Sequence, residues 1–219
     1  MAINIYYERN LPHFQPPYAT YLVNFRIAGS LPKEALRRLQ SEFELFKRSM
    51  ASTTPSKGSV ATYRERQFEY QMNVDRLLDM ATTGSDWLRR SDLAELVSKA
   101  LHFYDGVKYA LLAYCIMPNH VHTLLAFGPP WIPAPDGEAS EQFFVTKCIG
   151  SVKKKTARGA NEILNRSGPF WQHESYDHVI RDDAEMRRIL WYVILNPVSA
   201  GLVSDWKDWR WTYVKTGLL

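Results

Sequence analysis

The sequence predicts an α+β fold, and three observations carry that prediction. Residues 20–27 alternate, with Tyr21, Val23, Phe25 and Ile27 on one side and Thr20, Leu22, Asn24 and Arg26 on the other, which is the period of a half-buried strand. Lys108 to Met117 and His120 to Phe127 are two apolar runs separated only by Pro118-Asn119, the pattern of a hairpin. Around these strands, apolar residues recur at the three- and four-residue spacing of amphipathic helices.

In chain order, Arg9 to His13 and Pro16-Pro17 predict an extended opening, because proline fixes φ and lacks an amide donor. After the first strand, Leu36, Leu39, Phe43, Phe46 and Met50 mark a helix, with Pro32 suited to its first turn. Residues 51–60 are rich in Ser, Thr, Pro and Gly and predict a loop. Two further helices run through Tyr70, Val74, Leu77, Leu78 and Ala81 and through Leu93, Leu96, Val97, Ala100, Leu101 and Tyr104, the second capped by Ser91 or Asp92. Asp105-Gly106 turns the chain into the hairpin, whose first strand is apolar on both faces and therefore central. Residues 128–137 carry four prolines and form a loop. A helix from about Glu141 directs Val145, Cys148, Ile149 and Val152 inward and Lys147, Lys153, Lys154, Lys155 and Arg158 outward. Tyr176 to Arg181 is short and extended. Asp182-Asp183 starts the last long helix, with Met186, Ile189, Leu190 and Val193 at core spacing and Pro197 at its end.

The 219 residues are 46% hydrophobic and 23% charged, ordinary values for a folded domain with a core of its own. The net charge of +4 and pI near 9.0 suit a protein that meets phosphates. Cys115 and Cys148 are the two cysteines, no signal peptide opens the chain, and no apolar run approaches the ~20 residues that span a bilayer. The expected compartment is the cytoplasm, with no membrane partner.

The chemistry-bearing residues begin with His120 and His122. Side chains two apart on a strand project from the same face, so both imidazoles share one face while Val121, Thr123, Leu125 and Phe127 point to the core. A strand end with two solvated histidines reads the same way, so the pair needs company. Tyr192 and Asn196 stand four apart on the last helix and share a face there. Two imidazoles and an amide oxygen form a donor set that holds a divalent cation and leaves positions open for phosphate oxygens, and a phenol can attack phosphorus. Tyr176 is the rival nucleophile. The lysine helix and the polar side of the first strand, Asn24 and Arg26, are candidate contacts to a nucleic-acid backbone. Among Trp131, Trp171, Trp206, Trp209 and Trp211, at most one or two would stack on unpaired bases, since tryptophans are more often core.

Several separated segments add to this reading: Asn10 to Phe14, Val23 to Pro32, Met117-Pro118-Asn119-His120-Val121-His122, Gly168-Pro169-Phe170-Trp171-Gln172, Tyr176 to Asp182, and Asn196 to Val203. In this ordered set the chain resembles the REP-associated tyrosine transposases, a branch of the single-tyrosine HUH endonucleases. The resemblance spans almost the whole chain. It implies an antiparallel sheet flanked by helices, of the ferredoxin-like or RRM-like HUH kind, in one catalytic domain over residues 1–219. A helical insertion at about 63–104 exceeds the most compact members. It also implies His120 and His122 as metal ligands, Tyr192 as nucleophile and Asn196 as third ligand. Magnesium or manganese is the implied ion, although imidazole donors suit manganese, nickel or zinc better than magnesium. The implied activity is cleavage and rejoining of single-stranded DNA beside palindromic hairpins through a 5′-phosphotyrosine, in a nucleoid-associated protein of a bacterium. Oligomeric state stays open between monomer and homodimer. Two other readings are a hairpin-binding protein without cleavage and a zinc-dependent phosphoesterase.

Overall fold

The computed structural model describes residues 6–8, 12–51, 57–128 and 143–219. Asn10, Leu11, Trp131, Glu141 and most of the proline-rich segment lie outside them. The chain divides into two units, one formed by residues 1–28 with 86–219 and the other by residues 29–85.

The larger unit is built on strands β1 (Tyr6–Glu8), β2 (Pro12–Phe14), β3 (Thr20–Arg26), β4 (Ala110–Ile116), β5 (His120–Ala126), β6 (Tyr176–Val179) and β7 (Thr212–Val214). Strands β1 and β2 pair as a two-stranded ribbon. The other five form an antiparallel sheet in the order β6-β3-β5-β4-β7. The fold is therefore α+β, as the residue patterns predict. The Met117 amide donates to the His120 carbonyl at 2.9 Å, which closes the β4–β5 hairpin over Pro118-Asn119.

Face parity decides what the sheet does. Tyr21, Val23, Phe25, Val121, Leu125 and Phe127 are buried against helices α3 (Ser91–Tyr104) and α4 (Phe144–Ile163), whose Leu93, Val97, Leu101, Val145, Ile149 and Val152 complete the main core. At ~25 cal/mol per Å2 each such side chain contributes roughly 1.5–3 kcal/mol. The opposite face carries His120 and His122. Helix α5 (Asp183–Ser199) packs on β4 and β5 and sends Tyr192 to that histidine face.

In the smaller unit, helices α1 (Lys33–Ala51) and α2 (Lys57–Asp79) pack through Leu31, Leu36, Leu39, Val74 and Leu78, with Phe43 and Tyr70 rings 5.0 Å apart. Gly84, at φ +104°, closes this unit. A Cβ there would sit 2.9 Å from the Gly29 and Ser30 carbonyl oxygens.

Four expectations need correction. Helix α1 runs through Ala51 and α2 begins at Lys57, so part of the expected loop at 51–60 is helical. The N-cap of α3 is Arg90, and no side chain caps it. The helix expected from Glu141 is described from Phe144. Pro197 does not end α5, which continues to Ser199. Proline costs a helix one amide bond, but here the last turn is secured beyond it. The Leu202 amide donates to the Pro197 carbonyl and the Gly201 amide to that of Val198, each at 2.9 Å, with Gly201 at φ +67°. This is the Schellman arrangement. As for the expected insertion at about 63–104, α2 lies in the smaller unit while α3 is buried in the core of the larger one.

Candidate active site

Strand pairing sets the floor of the site. In the antiparallel register, Asn24 faces His122, Arg26 faces His120, Cys115 faces His122 and Tyr176 faces Asn24. Directly paired residues share a sheet face, so Cys115, His122, Asn24 and Tyr176 form one row across four strands, and Arg26 and His120 lie in the next.

The two imidazoles meet through their Nε2 atoms at 2.7 Å, and both residues are buried, His120 at 1% and His122 at 0% exposure. His120 Nδ1 donates to the Asn119 Oδ1 acceptor at 2.7 Å. That bond fixes the tautomer, because an amide oxygen only accepts, and it leaves the Nε2 lone pair of His120 facing His122. Burial, helped by the nearby Arg26 guanidinium, pushes His120 down to about 3. Burial, then the neighbouring His120, holds His122 well below its usual value. Both rings are neutral at physiological pH and need lose no proton to bind a cation.

The helix supplies the other half. Helix α5 starts with the Asp182 carboxylate accepting from the Glu185 amide at 2.8 Å, a side-chain N-cap. The helix then runs unbroken through Tyr192 and Asn196. The Tyr192 ring stands edge-on to His122, with centroids 5.3 Å apart and planes at 84°. Tyr192 is half-buried and Asn196 is buried at 3% exposure. The Asn196 Nδ2 donates to the Tyr192 carbonyl at 3.1 Å, which leaves its Oδ1 as the atom able to ligate a cation.

The donor set fits a divalent ion. It offers two neutral imidazole nitrogens side by side, and the Nδ1 of His122 is buried with no hydrogen-bond partner among the described residues. That nitrogen can carry the ring proton, so that Nε2 of His122 presents its lone pair beside that of His120. Asn119 is a candidate positioning residue that sequence reasoning passes over. It sits in the hairpin turn beside His120, and a turn amide next to a candidate ligand is the signal that could have found it.

The lysine helix lies elsewhere. Helix α4 packs on the opposite face of the sheet from the histidines. Lys147, Lys154, Lys155 and Arg158 are exposed there. The Lys155 ammonium sits 3.4 Å from the Phe103 ring centroid, and Arg158 pairs with Glu162 at 3.2 Å. Lys153 donates to the Gln172 and His173 carbonyls at 2.7 and 2.9 Å and to Ser175 Oγ at 3.1 Å, which ties the 172–175 segment to α4. Beside it lies a cavity of about 390 Å3, lined by residues including His13, Lys153, Glu174 and Asp177. Closeness in sequence to the histidines therefore does not bring these lysines to them. Asn24, buried at 4% exposure, and the half-buried Arg26 do lie on the histidine face. Trp171 is core and donates to Thr156 Oγ1 at 2.8 Å. Trp209 donates to the Ile116 carbonyl at 3.0 Å.

No family model matches the chain. A curated relative from Haemophilus influenzae bears the provisional name REP-associated tyrosine transposase. It is 28% identical over 107 residues, which cover 48% of this chain and 58% of the relative, so the match spans little more than half of that protein. A solved structure described as a REP-associated tyrosine transposase bound to a REP hairpin is similar at a TM-score of 0.47 and 15% identity, over 94% of this chain and 80% of that one. The family resemblance carried by the sequence motifs is thus repeated by name in a curated relative. Among the described residues, no helix is long and apolar enough to cross a membrane.

Proposed function

We propose that this protein is a metal-dependent single-stranded DNA endonuclease and strand transferase, acting beside palindromic hairpins with Tyr192 as its nucleophile. The observation that carries the reading is the ring contact between Tyr192 and His122 at 5.3 Å, on the face where His120 and His122 bring their Nε2 atoms together. The relative's name supports the substrate class.

His120, His122 and Asn196 would hold the divalent ion, whose contribution is to polarise the scissile phosphate and stabilise charge on its oxygens. The imidazole-rich donor set favours manganese over magnesium. The chain's own residues do the rest. Asn119 holds His120 in the ligating tautomer, and α5 holds the phenol at the rim of the site. The Tyr192 oxygen forms a bond to phosphorus as the bond to the 3′ oxygen breaks. The 5′ phosphate stays on the tyrosine, and the departing oxygen ends as a 3′ hydroxyl. One phosphoester is exchanged for another, so the same site can run the step backwards and rejoin strands without ATP.

The test is incubation with hairpin-bearing single-stranded DNA and manganese, followed by denaturing electrophoresis. Wild type is expected to give a covalent adduct and Tyr192→Phe none. An adduct that persists in Tyr192→Phe, or a wild type that forms none on its own genomic palindromes, overturns the proposal.

A further inference from the structure

The outer face of α5 carries a stripe that the core does not use. Trp191 is 46% exposed and Leu195 is 37% exposed, and they stand four apart on one face. Arg187 and Arg188 are exposed one turn earlier. At 100° per residue, Arg188 and Leu195 flank Tyr192 on its solvent side, while Ile189, Val193 and Asn196 flank it on the buried side.

Arg188 is exposed. Its guanidinium donates to Glu185 Oε1 at 3.2 Å with its side chain 60% exposed. Glu185 does not depend on it, because Arg181 donates to that carboxylate from its backbone amide, Nε and Nη2 at 2.9, 3.0 and 2.8 Å, and His178 Nε2 approaches at 3.1 Å. A guanidinium has five N–H donors in a fork that matches phosphate oxygens, and this one is open to solvent along most of its side chain. An exposed indole next to guanidinium groups is the composition of a surface that seats unpaired nucleic acid, by stacking on bases and gripping the backbone.

We infer that the Arg188–Trp191–Leu195 face of α5 seats the single strand that runs into the site, with Trp191 stacked on an unpaired base and Arg188 on the phosphate beside it. This rests on the reading of Tyr192 as the attacking group. It adds that single-strand recognition is built onto the same helix, one turn from the phenol, on the side away from the core.

The test uses the full chain carrying Tyr192→Phe, so that binding is read without cleavage. A hairpin with a fluorescent single-stranded overhang and the same hairpin without it are titrated by anisotropy over a range of salt. Trp191→Ala is expected to weaken binding of the overhang DNA about 5- to 150-fold and to leave the bare hairpin unchanged, whereas Trp191→Phe stays close to the parent. Arg188→Ala should lower the slope of log K against log salt by about 0.7, and Arg188→Lys should restore the slope. If both alanine variants bind the overhang DNA as the parent does, the inference is wrong. Adduct formation by the chain with Tyr192 intact is read in parallel. An adduct with unchanged binding sinks the seat and leaves the nucleophile standing. No adduct, with the Trp191→Ala loss retained, refutes the nucleophile and upholds the seat.

Discussion

Removing the amide of Asn119 tests the metal platform without touching a ligand. The Asn119 Oδ1 to His120 Nδ1 bond is 2.7 Å long and lies between residues of 6% and 1% exposure, so water cannot readily replace the lost acceptor. Without it His120 can place its proton on Nε2, the atom that faces His122, and the pair then presents one lone pair fewer. Loss of such an orienting partner costs about 10- to 100-fold in metal affinity, or about 1.4–2.7 kcal/mol. Asn119→Ala should therefore bind manganese that much more weakly by titration calorimetry. At a fixed metal excess, its metal-dependent gain in thermal stability should shrink by the same free energy. Asn119→Asp, which keeps an acceptor, should bind at least as tightly as wild type. Metal affinity in Asn119→Ala within twofold of wild type would show that the turn amide does not set the tautomer, and the geometric case for the histidines as ligands would lose its support.

Two other expectations concern the far face. Burial pushes the His13 imidazole down, but the hydrogen bonds and charges of Asp177 and Glu174 outweigh it, so the group rises from 6.5 to about 9. A raised histidine stabilises the fold fully below pH 6.5 and loses that contribution as pH climbs through about 9. At 1.36 kcal/mol per pH unit the contribution is about 3 kcal/mol, and urea denaturation at pH 6 and pH 9.5 should show the loss in wild type and not in His13→Gln. Lys153→Ala, which deletes three hydrogen bonds, should lose about 1–3 kcal/mol by urea denaturation, whereas Lys154→Ala, exposed on the same helix, should change stability by less than about 0.5 kcal/mol.

Much of the site was legible because it is written in short-range periodicity. Strand parity alone places His120 and His122 together and sends Val121, Thr123 and Leu125 to the core, which the structure bears out. The spacing of Tyr192 and Asn196 needs only that the helix persist, and the Schellman turn at Gly201, which holds the chain past Pro197, ensures that it does. What was not legible depends on which sheet face a later element covers. The lysines of α4 follow the hairpin closely in sequence, yet α4 packs on the other face, because its Val145, Ile149 and Val152 complete the core that Val23, Val121 and Leu125 begin. The pairing of His13 with Asp177 is 164 residues long-range and leaves no local pattern to read.

The same parity separates the two candidate nucleophiles. Tyr176 lies on the histidine face, in the row of Asn24 and His122, so sequence alone could not dismiss it. Its strand is two removed from that of His122, which puts their backbones roughly 9–10 Å apart at ~4.8 Å per strand, and its side chain is buried at 3% exposure. A phenol that attacks a phosphodiester must meet a polyanion arriving from solvent and must stand beside the residues that would hold the polarising ion. Tyr192, half-buried and in ring contact with His122, satisfies both conditions, while Tyr176 satisfies neither. Tyr176→Phe is therefore expected to form the covalent DNA adduct at close to the wild-type rate, since it removes a hydroxyl and leaves the ring that packs beside His178. Loss of the adduct in Tyr176→Phe with its retention in Tyr192→Phe would reverse the assignment and move the reacting phosphate to the β6 edge of the sheet.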